Sequence, residues 1–272
     1  MLERQRLEAW AGAYPPVRTP KRVLVVMAGN IPLVGFFDLL CVLASGHACR
    51  VKPSSKDTVL IGYVVDLLRA IDPAIPLRMA EQGERPDAVI ATGSDNANRY
   101  FRMLFGGIPS LLRGSRQSVA VLSGRETAAE LSGLEEDIFA YSGLGCRNVS
   151  LLFLPRGYMP ELRCTALNEK YRRNYLRERA LLRMRRMPFV DLDGAVLCED
   201  RSFPAALSRI HYTFYDSLAD VEAWLAAHDD RLQCVVSQCV RHSRRVAFGR
   251  AQHPGLTDYA DDVDTMRFLG TI

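Results

Sequence analysis

Short apolar runs alternating with amphipathic segments leave this chain few folds to choose from. The run Arg22–Met27 is rich in valine and is followed by Ala28-Gly29-Asn30, a pattern that suits a strand of a parallel sheet covered on both faces. Pro32 lies just inside a helix start, Phe36–Leu43 supplies its apolar face, and Gly46 ends it. A second strand is predicted at Ala48–Val51, followed by the polar stretch Lys52-Pro53-Ser54-Ser55-Lys56-Asp57. Thr58–Ile71 reads as a helix with Leu60, Val64, Leu67, Leu68 and Ile71 on its apolar side, stopped by Asp72-Pro73. Further strands are expected at Leu77–Met79, Ala88–Ala91 and Ser118–Leu122, with a helix at Asn96–Phe105. Strands alternating with helices argue for an α/β layer with a mainly parallel sheet. Ligands of such sheets gather at the carboxyl ends of strands, where Gly29-Asn30, Lys52–Ser55 and Gly93-Ser94 fall.

With 272 residues, 48% of them hydrophobic, the chain can bury one large core or two smaller ones. A net charge of +4 does not by itself call for nucleic acid. The positive charge is almost all arginine, and the lysines are Lys21, Lys52, Lys56 and Lys170. The seven cysteines have irregular spacing and include no C-x-x-C pair, so reduced thiols in a cytoplasmic protein are the simplest reading, with no metal site. Met1–Arg18 is charged and aromatic, unlike a signal peptide. Val23–Ser45 has the length of a membrane span, yet Asn30, Pro32 and Asp38 lie near its middle, so no span is expected. There is neither a G-x-G-x-x-G after the first strand nor a P-loop.

The second half centres on Phe139-Ala-Tyr-Ser-Gly-Leu-Gly-Cys-Arg-Asn-Val-Ser150. Glycines at 143 and 145 let a substrate and backbone N–H groups approach the Cys146 thiol closely. The residues alone leave two readings open, a catalytic nucleophile or a cysteine buried in a tight turn. Beyond it, Val149–Leu154 is a buried strand and Glu161–Met187 a strongly basic helix. That helix has few stacking aromatics, which favours a solvated face over a nucleic-acid surface. Strands at Ile210–Phe214 and Cys234–Ser237 flank a helix at Ser217–Ala227, and the aspartates of the tail suit a capped helix start better than a metal cluster.

Four segments, Ala28-Gly-Asn-Ile-Pro-Leu33, Val51-Lys-Pro-Ser-Ser55, Ala91-Thr-Gly-Ser94 and Gly143-Leu-Gly-Cys-Arg-Asn-Val149, stand in an order and spacing that resembles the aldehyde dehydrogenase superfamily, and within it the LuxC-like acyl-CoA reductase branch. The resemblance runs from about Leu7 to the C-terminus. It implies an aldehyde-dehydrogenase-like α/β fold: a Rossmann-type cofactor domain, 1–140 and N-terminally short for the branch, plus a second α/β catalytic domain, 141–272, in a homo-oligomer. It further implies Cys146 as nucleophile and Asn30 as an oxyanion ligand. Lys52 corresponds to the lysine of the K-P-S-E segment that holds the adenine ribose, and Gly93 and Ser94 to the turn that holds the pyrophosphate. Ser55 replaces the glutamate of K-P-S-E, which removes a carboxylate that would repel a 2′-phosphate and so permits NADP(H). The segment matching the general base of aldehyde-oxidising members, Leu111-Leu-Arg-Gly-Ser-Arg-Gln-Ser118, has no carboxylate, so water attack on a thioester is slow and coenzyme A is the implied acyl partner. The glutamate that positions the nicotinamide ribose should fall near Glu199–Pro204, where the match is poor. The expected activity is therefore reduction of an acyl-CoA to the aldehyde; the alternative is a non-catalytic relative that binds nucleotide or a protein partner.

Overall fold

The computed structural model describes residues 2–164 and 168–272, and the chain divides into two α/β units. The first unit is Met1–Ser115 together with Gly255–Ile272; the second is Arg116–Pro254. The boundary expected at residue 140 is corrected by this division. The strand at Gln117–Val121 pairs with strands of the second unit, so that unit begins before the Cys146 segment.

After helix α1 (Arg4–Gly12), the first unit runs β1 (Arg22–Val26), α2 (Phe36–Ala44), β2 (Ala48–Lys52), α3 (Thr58–Ile71), β3 (Leu77–Met79), β4 (Ala88–Thr92), α4 (Asp95–Phe105) and β5 (Ser110–Arg113). The sheet is parallel throughout, in the order β3-β2-β1-β4-β5. Its period-2 geometry sends Val23 and Val25 of β1 to one face, with Leu39, Val42 and Ile61, while Leu24 faces Val89, Ala91 and the Phe101 and Phe105 rings of α4. Both faces are covered, as the uninterrupted valine run required. Each such side chain contributes roughly 1.5–3 kcal/mol by leaving water.

Two details differ from the sequence reading. Strand β5 went unforeseen, because Ser110–Arg113 is only four residues long and merges into a glycine-serine turn. The buried side of α3 carries Ile61 and Val65, with Leu68 packed against them, whereas Leu60, Leu67 and Ile71 are exposed. The helix has apolar residues most of the way round, so periodicity alone picked the wrong stripe. No helix joins β3 to β4; residues 80–87 cross the sheet as a loop.

The second unit contains β6 (Gln117–Val121), α5 (Ala128–Phe139), β7 (Val149–Pro155), α6 (Glu169–Met184), β8 (Val190–Asp191), β9 (Val196–Glu199), β10 (Arg209–Tyr215), α7 (Leu218–Ala227), β11 (Leu232–Ser237) and β12 (Arg245–Val246). Its seven strands lie in the order β12-β11-β6-β7-β10-β9-β8, with only the β8–β9 pair antiparallel. Helix α5 opens with a reciprocal cap, the Thr127 hydroxyl accepting from Glu130 N–H and the Glu130 carboxylate accepting from Thr127 N–H. The basic helix expected over 161–187 is shorter: α6 begins at Glu169, its start fixed by the Asn168 side chain accepting from Tyr171 N–H, and 161–164 are not helical; Leu167 lies outside the described residues.

The tail then returns to the first unit as α8 (Thr265–Gly270), capped by Asp264, and buries Met266 and Leu269 in the same core as Val23 and Val25. A buried ion pair fixes this return. Arg113, at the end of β5, donates through Nη1 to both oxygens of Asp38 at 2.7 Å and through Nη2 to Thr265 Oγ1 at 2.7 Å. Burial works against the charge on Arg113, and the Asp38 carboxylate outweighs it, so the guanidinium pKa lies above its usual value.

Asp38→Ala is expected to cost about 3–5 kcal/mol, because a buried guanidinium then has no counter-charge. The double replacement Asp38→Leu with Arg113→Met is expected to cost clearly less than the single one, since it leaves no buried charge. Urea unfolding of the full chain measures both; an Asp38→Ala cost below about 1 kcal/mol would refute the assignment.

Candidate active site

The carboxyl ends of β1, β2 and β4 form one rim of the first unit. Val26 of β1 stands opposite Lys52 of β2 on one side and Ala91 of β4 on the other. The chain runs outward from β1 to β2 and β3, then returns to β4 beyond β1, so the topological switch point lies between β1 and β4. Gly29-Asn30 follows β1, Lys52 closes β2, and Gly93-Ser94 follows β4. The structure thus brings together five residues singled out in the sequence, Asn30, Lys52, Ser55, Gly93 and Ser94, of which all but Gly93 are exposed.

Local packing explains the glycine. A Cβ on Gly29 would lie 2.3 Å from Ser54 Oγ, so only glycine lets the loops after β1 and β2 meet. Leu33 N–H donates to Asp57 Oδ2 at 2.7 Å, which ties the Asn30 loop to the start of α3. Ser94 caps the 11-residue α4, its hydroxyl accepting from Ala97 N–H at 3.3 Å. The amino end of such a helix favours anions. Beside Lys52 lies a cavity of about 500 Å³ with Leu24 and Phe105 in its lining and the Arg50–Glu84 ion pair, 3.0 Å, on its wall. An apolar floor with a lysine at its edge fits the adenosine end of a dinucleotide.

Cys146 lies in the second unit, on the loop between α5 and β7, at the amino end of that strand. The carboxyl-end rule used for the first unit therefore does not extend to it. Backbone strain and one amide shape the loop. Tyr141, Ser142 and Gly143 all have positive φ, at 52°, 55° and 64°, and the left-handed conformation costs roughly 1 kcal/mol or more at each non-glycine residue. A Cβ on Gly143 would also meet the Tyr171 ring at 3.2 Å.

Asn148 holds this arrangement. Its Oδ1 accepts from Gly145 N–H at 2.8 Å, and its Nδ2 donates to the carbonyls of Ala140 at 2.9 Å, Ile138 at 3.1 Å and Asp137 at 3.2 Å. One buried side chain thereby satisfies the carboxyl end of α5 and the glycine before the cysteine. Ser118, also buried, donates to the Cys146 carbonyl at 2.9 Å and accepts from Cys234 N–H at 3.2 Å. Neither Asn148 nor Ser118 was assigned a role from sequence; the signal for the first was an asparagine two residues after the cysteine, next to a predicted strand.

Of the seven cysteines, Cys146 alone is exposed. Burial pushes the thiol of Cys49 up to about 12 and those of Cys164 and Cys234 to about 11, and it raises Cys41 and Cys198 as well. Those thiols stay protonated and unreactive near neutrality. The reading of Cys146 as a thiol buried in a turn is thereby excluded.

Below the loop is a cavity of about 270 Å³, lined by Gly143, Gly145, Asn148, Tyr171, Pro204 and Leu207 among others. The segment that matched the nicotinamide-ribose glutamate poorly splits in two here. Phe203 packs against Trp224, centroids 5.6 Å apart, whereas Pro204 lines the cavity. Leu111–Ser118 forms the end of β5, a turn and the start of β6, and its Arg113 serves the buried ion pair rather than the site. Among the described residues, no helix is long and apolar enough to cross a membrane.

Comparison with solved structures finds aldehyde dehydrogenases of similar fold. The aldehyde dehydrogenase of Mycobacterium tuberculosis in complex with NAD+ is 17% identical, with a TM-score of 0.59 over 74% of this chain and 53% of its own. An oxidoreductase from Marinobacter aquaeolei reaches a TM-score of 0.63 at 13% identity, over 89% of this chain and 63% of its own. The aldehyde dehydrogenase of Bacillus cereus, in its NAD+ complex, gives 0.58 at 12% identity over 86% and 62%. The chain thus spans between about half and two thirds of these structures' length. No protein-family model and no curated relative matches the sequence. The likeness establishes an aldehyde-dehydrogenase-like α/β fold, as the four motifs led one to expect.

Asn148→Ala is expected to lower stability by about 3 kcal/mol, through loss of several hydrogen bonds to buried backbone groups. Thermal unfolding and amide exchange at Gly145 measure it, and unchanged exchange there would contradict the pinning role. Asp137, at the end of α5, gives a pH signature. Burial raises its carboxyl pKa to about 6, against N–H bonds from Gly249 and Ala251. The native state therefore holds this proton to higher pH than the unfolded chain, and the group's contribution to stability falls as pH rises through that window. Relative to Asp137→Asn, the wild type is expected to lose about 3 kcal/mol between roughly pH 4 and pH 7. Parallel pH curves in urea would contradict it.

Proposed function

We propose that this protein reduces an acyl-CoA thioester to the aldehyde through an S-acyl-Cys146 intermediate, with NADPH as the reductant, as a member of the LuxC-like branch. The observation that carries the reading is the exposed Cys146 on a loop pinned by Asn148, while burial raises the thiol pKa of five of the other six cysteines. The fold likeness to aldehyde dehydrogenases supports it.

In this reading the Cys146 thiolate attacks the thioester carbonyl carbon. The tetrahedral oxyanion is met by the Asn30 amide and the Cys146 backbone N–H. The carbon–sulfur bond to coenzyme A then breaks, and its thiolate leaves and takes a proton, giving the S-acyl enzyme. Lys52 and the Gly93-Ser94 turn at the start of α4 would hold the dinucleotide, its adenosine end in the cavity beside Lys52. The exposed Ser55 leaves room and no negative charge for a 2′-phosphate. When bound, NADPH supplies the hydride that converts the acyl group to the aldehyde and restores the thiol. The absence of a carboxylate in Leu111–Ser118 protects the S-acyl enzyme from hydrolysis, because no base there can activate water.

Incubation with a labelled fatty acyl-CoA is expected to add the acyl mass to a peptide containing Cys146, and NADPH to discharge it as aldehyde. Cys146→Ala is expected to abolish the adduct, and Asn30→Ala to slow its formation about 100-fold or more. Acylation of Cys146→Ala at the wild-type rate would overturn the nucleophile; no acylation of the wild type would favour the non-catalytic reading.

A further inference from the structure

The basic helix α6 does not present its charges evenly. Lys170, Arg177 and Arg185 fall on one face, and with Asn174 and Leu181 they line a groove of about 530 Å³. Those three cations are exposed, and among the described residues none has a carboxylate partner, whereas Arg173, Arg179 and Arg183 elsewhere on the helix pair with Glu169 or Asp191. The one acidic residue in the groove, Glu178, is neutralised by Arg209 at 2.5 Å. Lys170 is also one of only four lysines in an arginine-biased chain. From Lys170 to Arg185 the face is about 22 Å long at the α-helical rise.

The groove is continuous with the cavity below the nucleophile loop. Ala205, Ala206, Leu207 and Arg209 line both, and Leu144, two residues before Cys146, lines the groove. A linear ligand with several phosphates at one end and a neutral arm at the other matches this layout: cations along the helix, then neutral and apolar wall toward the loop. We propose that the α6 groove binds the diphosphate and ribose phosphate of coenzyme A, with the pantetheine arm running past Leu207 toward Cys146. The proposal rests on the acyl-CoA reading and gives the thioester's carrier its own site on the second unit, separate from the dinucleotide rim around Lys52.

The test uses free coenzyme A and the full chain, titrated by calorimetry. Because free coenzyme A carries no acyl group, binding is read whether or not Cys146 acylates. The variant combines Lys170→Ala, Arg177→Ala and Arg185→Ala; all three side chains are exposed, and a thermal melt checks that it folds. Coenzyme A is expected to bind the variant at least tenfold more weakly than the wild type, while NADPH binds both alike. Dephospho-coenzyme A and ATP are expected to bind the wild type more weakly than coenzyme A does. Arg177→Gln alone is expected to weaken coenzyme A binding about threefold, which keeps the test open if the triple variant melts early. Equal coenzyme A affinity in wild type and variant, no binding to the wild type, or ATP binding as tightly as coenzyme A would each overturn the proposal. Failure of acylation with coenzyme A binding intact would instead count against the proposed reaction alone.

Discussion

The second unit depends on the four hydrogen bonds of the Asn148 side chain. The loop before β7 carries three left-handed residues in succession and the unpaired carbonyls of a helix end, each a cost to be met by something local. A side-chain amide combines an acceptor for Gly145 N–H with two N–H donors for the carbonyls, where a hydroxyl has one. Aspartate would turn oxygen lone pairs toward the α5 carbonyls, and leucine would leave all of them unmet. The conformation that exposes the Cys146 thiol is therefore set by a residue that need not touch the substrate, and Ser118 fastens the same loop from β6. Support of this kind fixes where the exposed thiol stands.

Much of this architecture could be read from the residues because local and global preferences agree. The valine run of β1, the Asp72-Pro73 stop after α3 and the capping residues Ser94 and Ser217 each encode their element over a few positions. What escaped the sequence was set by distant partners. The strand β5 is a strand because β4 pairs with it, and the apolar stripe of α3 is chosen by the sheet it packs on rather than by its own periodicity. Ser110–Arg113 and Leu60 carry no mark of either. The candidate site divides the same way. Gly29 and Gly93 lie in short motifs, whereas the role of Asn148 rests on carbonyls eight to eleven residues earlier in the chain.

The charge on α6 shows how composition can mislead. In an arginine-biased chain a basic helix reads as a solvated surface, and for Arg173 and Arg183, exposed and paired with carboxylates, that is what the structure shows. Position along the groove that also takes in Leu144 and Leu207, which no count of charges contains, separates Lys170, Arg177 and Arg185 from the rest.

The first unit is assembled from both ends of the chain, with the second inserted between Ser115 and Gly255. Its core stays open without Tyr259, Met266 and Leu269, and Arg113 has no Thr265 to bind until the tail is in place. During synthesis the second unit, contiguous in sequence, has all its strands before the first has its last helix. The inserted unit is thus free to fold early, while the first unit must wait for the segment from Gly255 onward to be made. A chain cut before Gly255 would carry the complete Cys146 loop on a whole second unit, with the first unit lacking part of its core.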